Sequence, residues 1–402
     1  MCENRAMEVP GQKGSAQRLY MRDSPICTSA EALRWENIFW LQQGGIMTKE
    51  KLCKLHIEPL YEEAQHKTRE RLDAIAKPLD GLGQFEKLLV QIAGITGTDE
   101  IRIDKRAILA MCADNGIVAE GVTQTSGDVT AIVAVNMATG RSSVNRMAAV
   151  GRTEVFATDI GISTEVDCES LRKRKVRKGT ADFLKEPAMR EAEALQAIEE
   201  GILWVKECKE QGYQILGTGE MGIGNTTTST AVGCALLGLT PEEVTGRGAG
   251  LDDAGLVRKK AVIARAIKQY DLYGKDALTV LRTVGSLDIA GIAGIFIGGA
   301  LYRVPIVLDG MITAVAALVA DRLVPGTRAF MLASHLSKEP ITRKIMEELG
   351  LHPVIQADLA LGEGTGAAML FPLLDMALTV YRENDSFDEM QIDAYERFEN
   401  NR

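Results

Sequence analysis

YQILGTGEMGIGNTTTSTAVGCALLG, residues 213–238, joins a short apolar run, Tyr213–Leu216, to a glycine-rich turn and then to a small-residue helix. A strand that feeds a helix through glycines is the building unit of a parallel α/β sheet. The same grammar recurs from residue 100 onward. Apolar runs at 107–113 (AILAMCA), 154–160 (EVFATDI), 213–219 (YQILGTG), 305–310 (PIVLDG), 329–334 (AFMLAS) and 353–358 (PVIQAD) are each followed by turn residues and helical sequence. Near-continuous apolar runs suit strands buried on both faces. They predict a three-layer, Rossmann-like parallel α/β sheet of about six strands. Ligands in such sheets bind beyond the carboxyl ends of the strands. The segments to search are therefore 114–128, 219–228, 309–313, 335–340 and 361–366.

With 402 residues, 46% hydrophobic and 25% charged, the chain can bury a large core. A net charge of −9 argues against a nucleic-acid partner, which would require a basic face. The basic run Arg172–Lys178 reads as a solvated surface segment. Seven dispersed cysteines (Cys2, Cys27, Cys53, Cys112, Cys168, Cys208, Cys234) without a C-x-x-C point to reduced thiols and a cytoplasmic location, and against zinc or a disulfide framework. None of the four histidines is paired at metal-ligand spacing, and His56 and His66 read as surface residues. The longest apolar stretch, Ile289–Tyr302, falls short of the ~20 residues that span a bilayer and reads as a buried helix. No membrane association is expected. The first 23 residues mix charges throughout, unlike a signal peptide.

Residues 1–46 lack periodicity and are expected to be an extension, disordered or outside the native chain, with Met47 as a candidate start. Residues 47–100 read as the helical N-terminal part of a small domain, 101–370 as an α/β nucleotide-binding catalytic domain, and 371–402 as a helical C-terminal part.

The glycine loop admits two ligand readings. Gly217, Gly219 and Gly222 spell G-x-G-x-x-G, the spacing of a dinucleotide turn. That reading needs an acidic residue closing the next strand about 20 residues on. Glu242 and Glu243 fall there, but in a turn with no strand before it, and Glu220 would press a carboxylate on the pyrophosphate. No G-K-[ST] closes a Walker loop. Gly222, Gly224, Asn225, Thr226 and Thr227 at a helix start instead suit a single phosphate. Taken alone, an ordinary cap at Thr226 or Thr227 explains the loop equally well. Downstream, GRGAGLDDAGLVRKKAVIARAI (246–267) sets Asp252-Asp253 at a helix start and Lys259 two turns in. The aspartates could hold magnesium beneath a pyrophosphate, but such residues more often cap a helix. In LALGEGTGAAMLF (359–371), Glu363 lies between Gly362 and Gly364, a candidate general base beside the plainer reading of an exposed loop glutamate.

In this order, GEMGIGNTT, GRGAGLDDAGL, LDGMITAVAAL, ASHLS and LGEGTGAA, extended by KPLDGLGQFEKL (77–88) and ADNGIVAEGV (113–122), resemble the nicotinate-nucleotide–dimethylbenzimidazole phosphoribosyltransferases over residues 50–380. The resemblance implies transfer of ribose phosphate from nicotinate mononucleotide to 5,6-dimethylbenzimidazole, giving α-ribazole 5′-phosphate and nicotinate in cobalamin lower-ligand assembly. It implies a homodimer, no cofactor and no metal, since the pyridinium leaves as a neutral ring. Glu363 would take the proton of the attacking base, and attack opposite the leaving ring would invert C1′. Glu220 and Lys259 would flank the nucleotide, with Glu220 on ribose hydroxyls or paired with Lys259. Gly222, Gly224, Asn225 and Thr226 would line its phosphate side, with Asp309, Ser337 and Gly362 nearby. Ser126, Met221 and Leu361 are the candidates for the base pocket. TQTSGDVTAIVAVNM (123–137) departs from the family, whose members often carry Tyr-Pro and a following Gln there, so the accepted base stays open. Two other functions fit the loop: an NAD-linked oxidoreductase, or a non-catalytic nucleotide-binding partner of an active subunit.

Overall fold

β1 (Arg106–Ala113) is buried at all eight positions because it is paired in parallel on both sides and covered on both faces. A computed structural model describes residues 46–397. The expected extension at 1–46 lies, except for Ile46, outside the described residues, and so do 398–402. Before β1 come α1 (Lys49–Cys53), α2 (Glu62–Ala74) and α3 (Gln84–Thr96). After it come α4 (Asp128–Ala138), α5 (Ser143–Val150), β2 (Glu154–Gly161), β3 (Arg172–Lys173), α6 (Glu191–Glu210) and β4 (Ile215–Met221). The chain continues through α7 (Asn225–Leu237), α8 (Pro241–Val244), α9 (Asp253–Gln269), α10 (Ala277–Val284), α11 (Leu287–Tyr302) and β5 (Ile306–Leu308). It ends with α12 (Met311–Leu323), β6 (Met331–Ala333), α13 (Ile341–Leu349), α14 (Thr365–Glu383) and α15 (Phe387–Met390).

The strands form one parallel six-stranded sheet in the order β3-β2-β1-β4-β5-β6. From β1 the chain moves outward to β2 and β3, then returns to place β4 on the other side. The crevice between the carboxyl ends of β1 and β4 is therefore the topological switch point, where open sheets of this kind bind ligands. One face of the sheet is covered by a core that includes α6, α11 and α12, the other by a core built from α3, α4, α5 and α14. The apolar run expected to be a buried helix is α11, whose residues Leu287–Leu301 are all buried. A helix with no polar stripe is stable only when enclosed on all sides. In α3, Leu88, Leu89, Ile92 and Ile95 recur at helical spacing and are buried. Each such side chain contributes about 1.5–3 kcal/mol by leaving water.

Two expectations are corrected. PVIQAD, 353–358, forms no strand; it makes a single parallel bridge, His335↔Ile355. Pro353 has no N–H to donate, Asp358 adopts φ 49°, and residues 356–358 are exposed, so the run stays an irregular edge beside β6. The sixth strand is β3, at the opposite edge, inside the basic run expected to be merely solvated. There Arg172 makes a two-bond fork with Glu207, at 2.6 and 2.8 Å, and lies over the Trp204 ring. Lys175 reaches Asp159 at 3.3 Å.

The two ends of the described chain meet. Ile75 bridges Ser386, and the Ala76 N–H donates to the Asp385 carbonyl at 3.0 Å. Arg71 donates to the Tyr381 carbonyl at 3.0 Å and lies over its ring. Among the described residues, no helix is long and apolar enough to cross a membrane.

Candidate active site

The strands β4, β5 and β6 deliver residues at their carboxyl ends, and the site is built around those ends. β4 ends with Glu220 and Met221, and Gly224, at φ 92°, turns the chain into α7 at Asn225. Gly217 and Gly219, the first two glycines of the G-x-G-x-x-G, lie inside β4 rather than in the turn. Their role is close approach: a Cβ on Gly219 would sit 2.9 Å from the Glu363 carbonyl carbon and 3.2 Å from the Gly364 nitrogen. The loop leading into α14 lies directly on the strand. The motif therefore serves packing and lacks the turn that a pyrophosphate fingerprint requires.

Glu220 is buried, and its carboxyl accepts from the Asn225 amide and from the Glu363 N–H. Burial, and next the neighbouring Asp288 carboxyl, push it up to about 8. The same Asn225 amide donates to Asp288 at 3.0 Å, and Asp288 also accepts from Ser286. Burial raises Asp288 as well. Two buried carboxyl groups thus share one amide, a setting that favours retention of a proton.

Lys259 is fully buried. Its ammonium donates to Thr226 Oγ1 at 2.9 Å and to the Gly246 carbonyl at 3.2 Å, and no bond to Glu220 forms. Desolvation lowers it to about 8, opposed by Glu339. Asp252 caps α9 by accepting from the Gly255 N–H at 2.7 Å, and Asp253 pairs with Arg247. Asp252 thus takes the capping role expected of the aspartate pair, whereas Asp253 does not.

Asp309 follows β5 and accepts from Gly366 at 2.7 Å and Gly364 at 3.1 Å, the first amides of α14. Burial raises its pKa, with His335 partly opposing. Gly362 has φ 81°, and a Cβ there would lie 2.5 Å from Glu220 Oε1, so only glycine fits. Glu363 itself adopts φ 63° and is half-buried, and its Oε2 accepts from Val144 at the start of α5, at 3.0 Å. A non-glycine residue in the left-handed region is a strained conformation of the kind found at functional sites.

Two adjoining cavities share Glu220, Thr226 and Ala249 as a dividing wall. The first is lined by Asp309, the Gly310–Thr313 start of α12, His335, Ser337, Glu339 and Gly362. The second is lined by Val122–Thr125, Met221–Asn225, Arg247 and Leu251. The nucleotide candidates Glu220, Thr226, Asp309, Ser337 and Gly362 therefore converge on the first cavity, while Gly222, Gly224 and Asn225 open on the second. Lys259 stands behind Thr226. Of the base-pocket candidates, Met221 lines the second cavity; Ser126 and Leu361 are exposed and line neither. Glu363 also lies outside both linings and contributes its backbone to Glu220.

The structure adds residues that the sequence does not single out: Asp288, His335 and Glu339. Asp288 has a signal, a lone acid at the head of a 14-residue apolar run. His335 and Glu339 fall in the 335–340 segment, where the sequence points only to Ser337. Among the described residues, no group of three His, Cys, Asp or Glu side chains is arranged to hold a metal.

A family model described as phosphoribosyltransferase matches residues 57–392. The nicotinate-nucleotide–dimethylbenzimidazole phosphoribosyltransferase of Acetivibrio thermocellus is 44% identical over 340 residues, covering 85% of this chain and 97% of that protein. That of Ruminiclostridium cellulolyticum is 42% identical over 343 residues, with the same coverage of both. The crystal structure of CobT from Thermus thermophilus superimposes with a TM-score of 0.78 at 38% identity, covering 83% of this chain and all of that one.

Proposed function

This chain belongs to the nicotinate-nucleotide–dimethylbenzimidazole phosphoribosyltransferase family, and from that premise we propose that it moves ribose phosphate from nicotinate mononucleotide to 5,6-dimethylbenzimidazole or a related base. The observation that carries the reading is the pair of adjoining cavities separated by Glu220, one rich in nucleotide-type contacts and one bordered by Met221 and Leu251. A donor in the first and a flat base in the second would meet at that wall.

The chemistry asks little of the protein beyond positioning. A base nitrogen forms a bond to C1′ as the C1′–pyridinium bond breaks, and the electron pair returns to the ring of nicotinate. The proton on the other base nitrogen passes to Glu363, which lies outside both cavity linings and would reach the base by giving up its bond to the Val144 N–H. Approach from the face opposite the leaving ring inverts C1′ and gives the α-linked product. Orientation of two bound reactants is itself worth several kcal/mol of barrier. The N-termini of α7 and α12 offer N–H groups and a favourable dipole to the donor phosphate, with Lys259 behind Thr226.

Incubation with nicotinate mononucleotide and dimethylbenzimidazole, followed by measurement of free nicotinate and of the anomeric configuration of the product, tests this reading. No release of nicotinate, or a β-linked product, would overturn it. We further read the protein as a cytoplasmic homodimer, supported by the exposed Ile132 and Val150 (59% and 79%) and by free cysteines among the described residues. Sedimentation at micromolar concentration tests the dimer. The contacts between Arg71 and the end of α14 support grouping 47–100 with 371–402 as one small helical part.

A further inference from the structure

Glu339, at the end of the segment that follows β6, is 9% exposed and lines the first cavity. Its two oxygens differ. Oε1 accepts from the Gly248 N–H at 2.9 Å and so pins the 246–250 turn. Oε2 is buried and has no hydrogen-bond partner. A buried carboxylate oxygen left without a donor forfeits its hydration and gains nothing in return, so such a group calls for a partner.

The other carboxyl groups of this cavity are already engaged. Asp309 accepts from Gly364 and Gly366 through separate oxygens. Glu220 accepts from Asn225 and from the Glu363 N–H. Lys259, which Glu339 faces electrostatically, directs two of its three N–H groups to Thr226 and Gly246, and no bond from it to Glu339 forms. The open acceptor is therefore available to a ligand donor. The choice is narrow on chemical grounds. A nicotinate ring has no N–H, and a phosphate ester near neutral pH is mainly an acceptor that a carboxylate repels. The N–H of the base goes to Glu363 in the proposed reaction. The ribose hydroxyls remain.

We propose that Glu339 is a donor-binding residue whose Oε2 accepts a hydrogen bond from a ribose 2′- or 3′-hydroxyl, while Oε1 holds the 246–250 turn against the sugar. The assignment rests on the phosphoribosyltransferase reading and adds a sugar contact to it.

The test compares equilibrium binding, by calorimetry, of nicotinate mononucleotide and its 2′-deoxy and 3′-deoxy forms to wild type and to Glu339→Gln. The glutamine retains the carbonyl for Gly248 and turns a donor toward the sugar. Loss of a hydrogen bond to a charged group should weaken the ribose donor by about 10–10²-fold in the variant. One deoxy donor should bind wild type weaker by a similar factor and lose little more in the variant, a less-than-additive cycle. A variant that weakens all three donors equally overturns the proposal, because a purely structural role would do the same. If Glu339→Gln does not fold, the wild type alone decides: equal affinity for the ribose and both deoxy donors overturns it. Absence of nicotinate release by wild type would instead sink the activity and leave the binding comparison intact.

Discussion

Glu220→Gln should flatten the dependence of stability on pH. In the folded protein this carboxyl is held up to about 8 by burial and by Asp288, against an ordinary 4.5. The folded state therefore grips a proton that the unfolded chain releases earlier. Stability from this group is fully present below about 4.5 and is lost as pH rises through about 8. Each pH unit inside that window carries about 1.4 kcal/mol, so on the order of 4 kcal/mol should drain away between about pH 5 and 8. Glutamine keeps the shape, stays neutral and cannot titrate. Its amide adds an offset against Asn225 and the Glu363 N–H, but the same offset at every pH. Urea unfolding of both proteins at about pH 5, 7 and 9 isolates the slope, because all other titrating groups are common to the pair. The stability of wild type relative to the variant should fall across the series by roughly that amount. A difference constant within about 1 kcal/mol would refute the reasoning and leave Glu220 an ordinary ionised residue. The donor KM carries a second reading. Ionised Glu220 repels the phosphate, so above pH 8 the KM of wild type should rise more steeply than that of the variant, in which Lys259 alone loses its charge.

Glu363→Gln should lower turnover by about 10²–10⁴-fold, the range for loss of a general base, with donor affinity little changed; wild-type-like turnover would remove it from the mechanism. Lys259→Ala should weaken the mononucleotide by about 10–10²-fold and spare the neutral base. Because its ammonium rests on Thr226 rather than Glu220, its effect should be less than additive with Thr226→Val and additive with Glu220→Gln, as donor dissociation constants of the double variants would show. Competition among unsubstituted, methylated and hydroxylated benzimidazoles should give preferences within ~10–200-fold per methyl, since Met221 and Leu251 offer adaptable apolar walls; a much larger ratio would reveal a polar discriminator.

Strands buried on both faces announce themselves in sequence, and β1, β2 and β4 fall where their apolar runs predict. The edges are harder. PVIQAD has the composition of a strand, yet composition does not reveal that the run leaves the sheet after one bridge at Ile355, with 356–358 exposed. β3 is the reverse: Arg172 and Lys173 carry no apolar signal, and their place is fixed by Glu207 on α6, 35 residues away in sequence. The site shows the same division. Glu220 and Glu363 stand out because glycines surround them, and glycines beside a polar residue mark close approach. Ser126 and Leu361 neighbour good candidates in sequence, but a loop residue can face solvent while the next lines the cavity, as Thr125 and Gly362 do. Asp288 and Glu339 matter through what they touch across the fold, which no local pattern encodes.

The first cavity holds Glu220, Asp309 and Glu339, yet it is read as the seat of an anion, and the resolution lies in how each carboxyl is used. Glu220 is pushed toward its neutral form, so it can sit beside a phosphate without repelling it. Asp309 is turned inward, where it clamps two amides of α14 and fixes the loop that carries Glu363. Only Glu339 keeps an oxygen for the ligand, and a sugar hydroxyl is the part of the donor that an acceptor suits. The phosphate is left to helix N-termini and to Lys259, whose full burial makes its charge count for more than a surface lysine would. A site arranged in this way should weaken in two distinct manners. Raising pH should cost donor affinity through ionisation of Glu220 and neutralisation of Lys259, both near 8, whereas changes at Glu363 should cost turnover alone. If donor affinity and turnover instead fall together with pH in wild type and remain coupled in Glu220→Gln, the assignment of donor binding to Glu220 and Lys259 and of proton transfer to Glu363 is wrong.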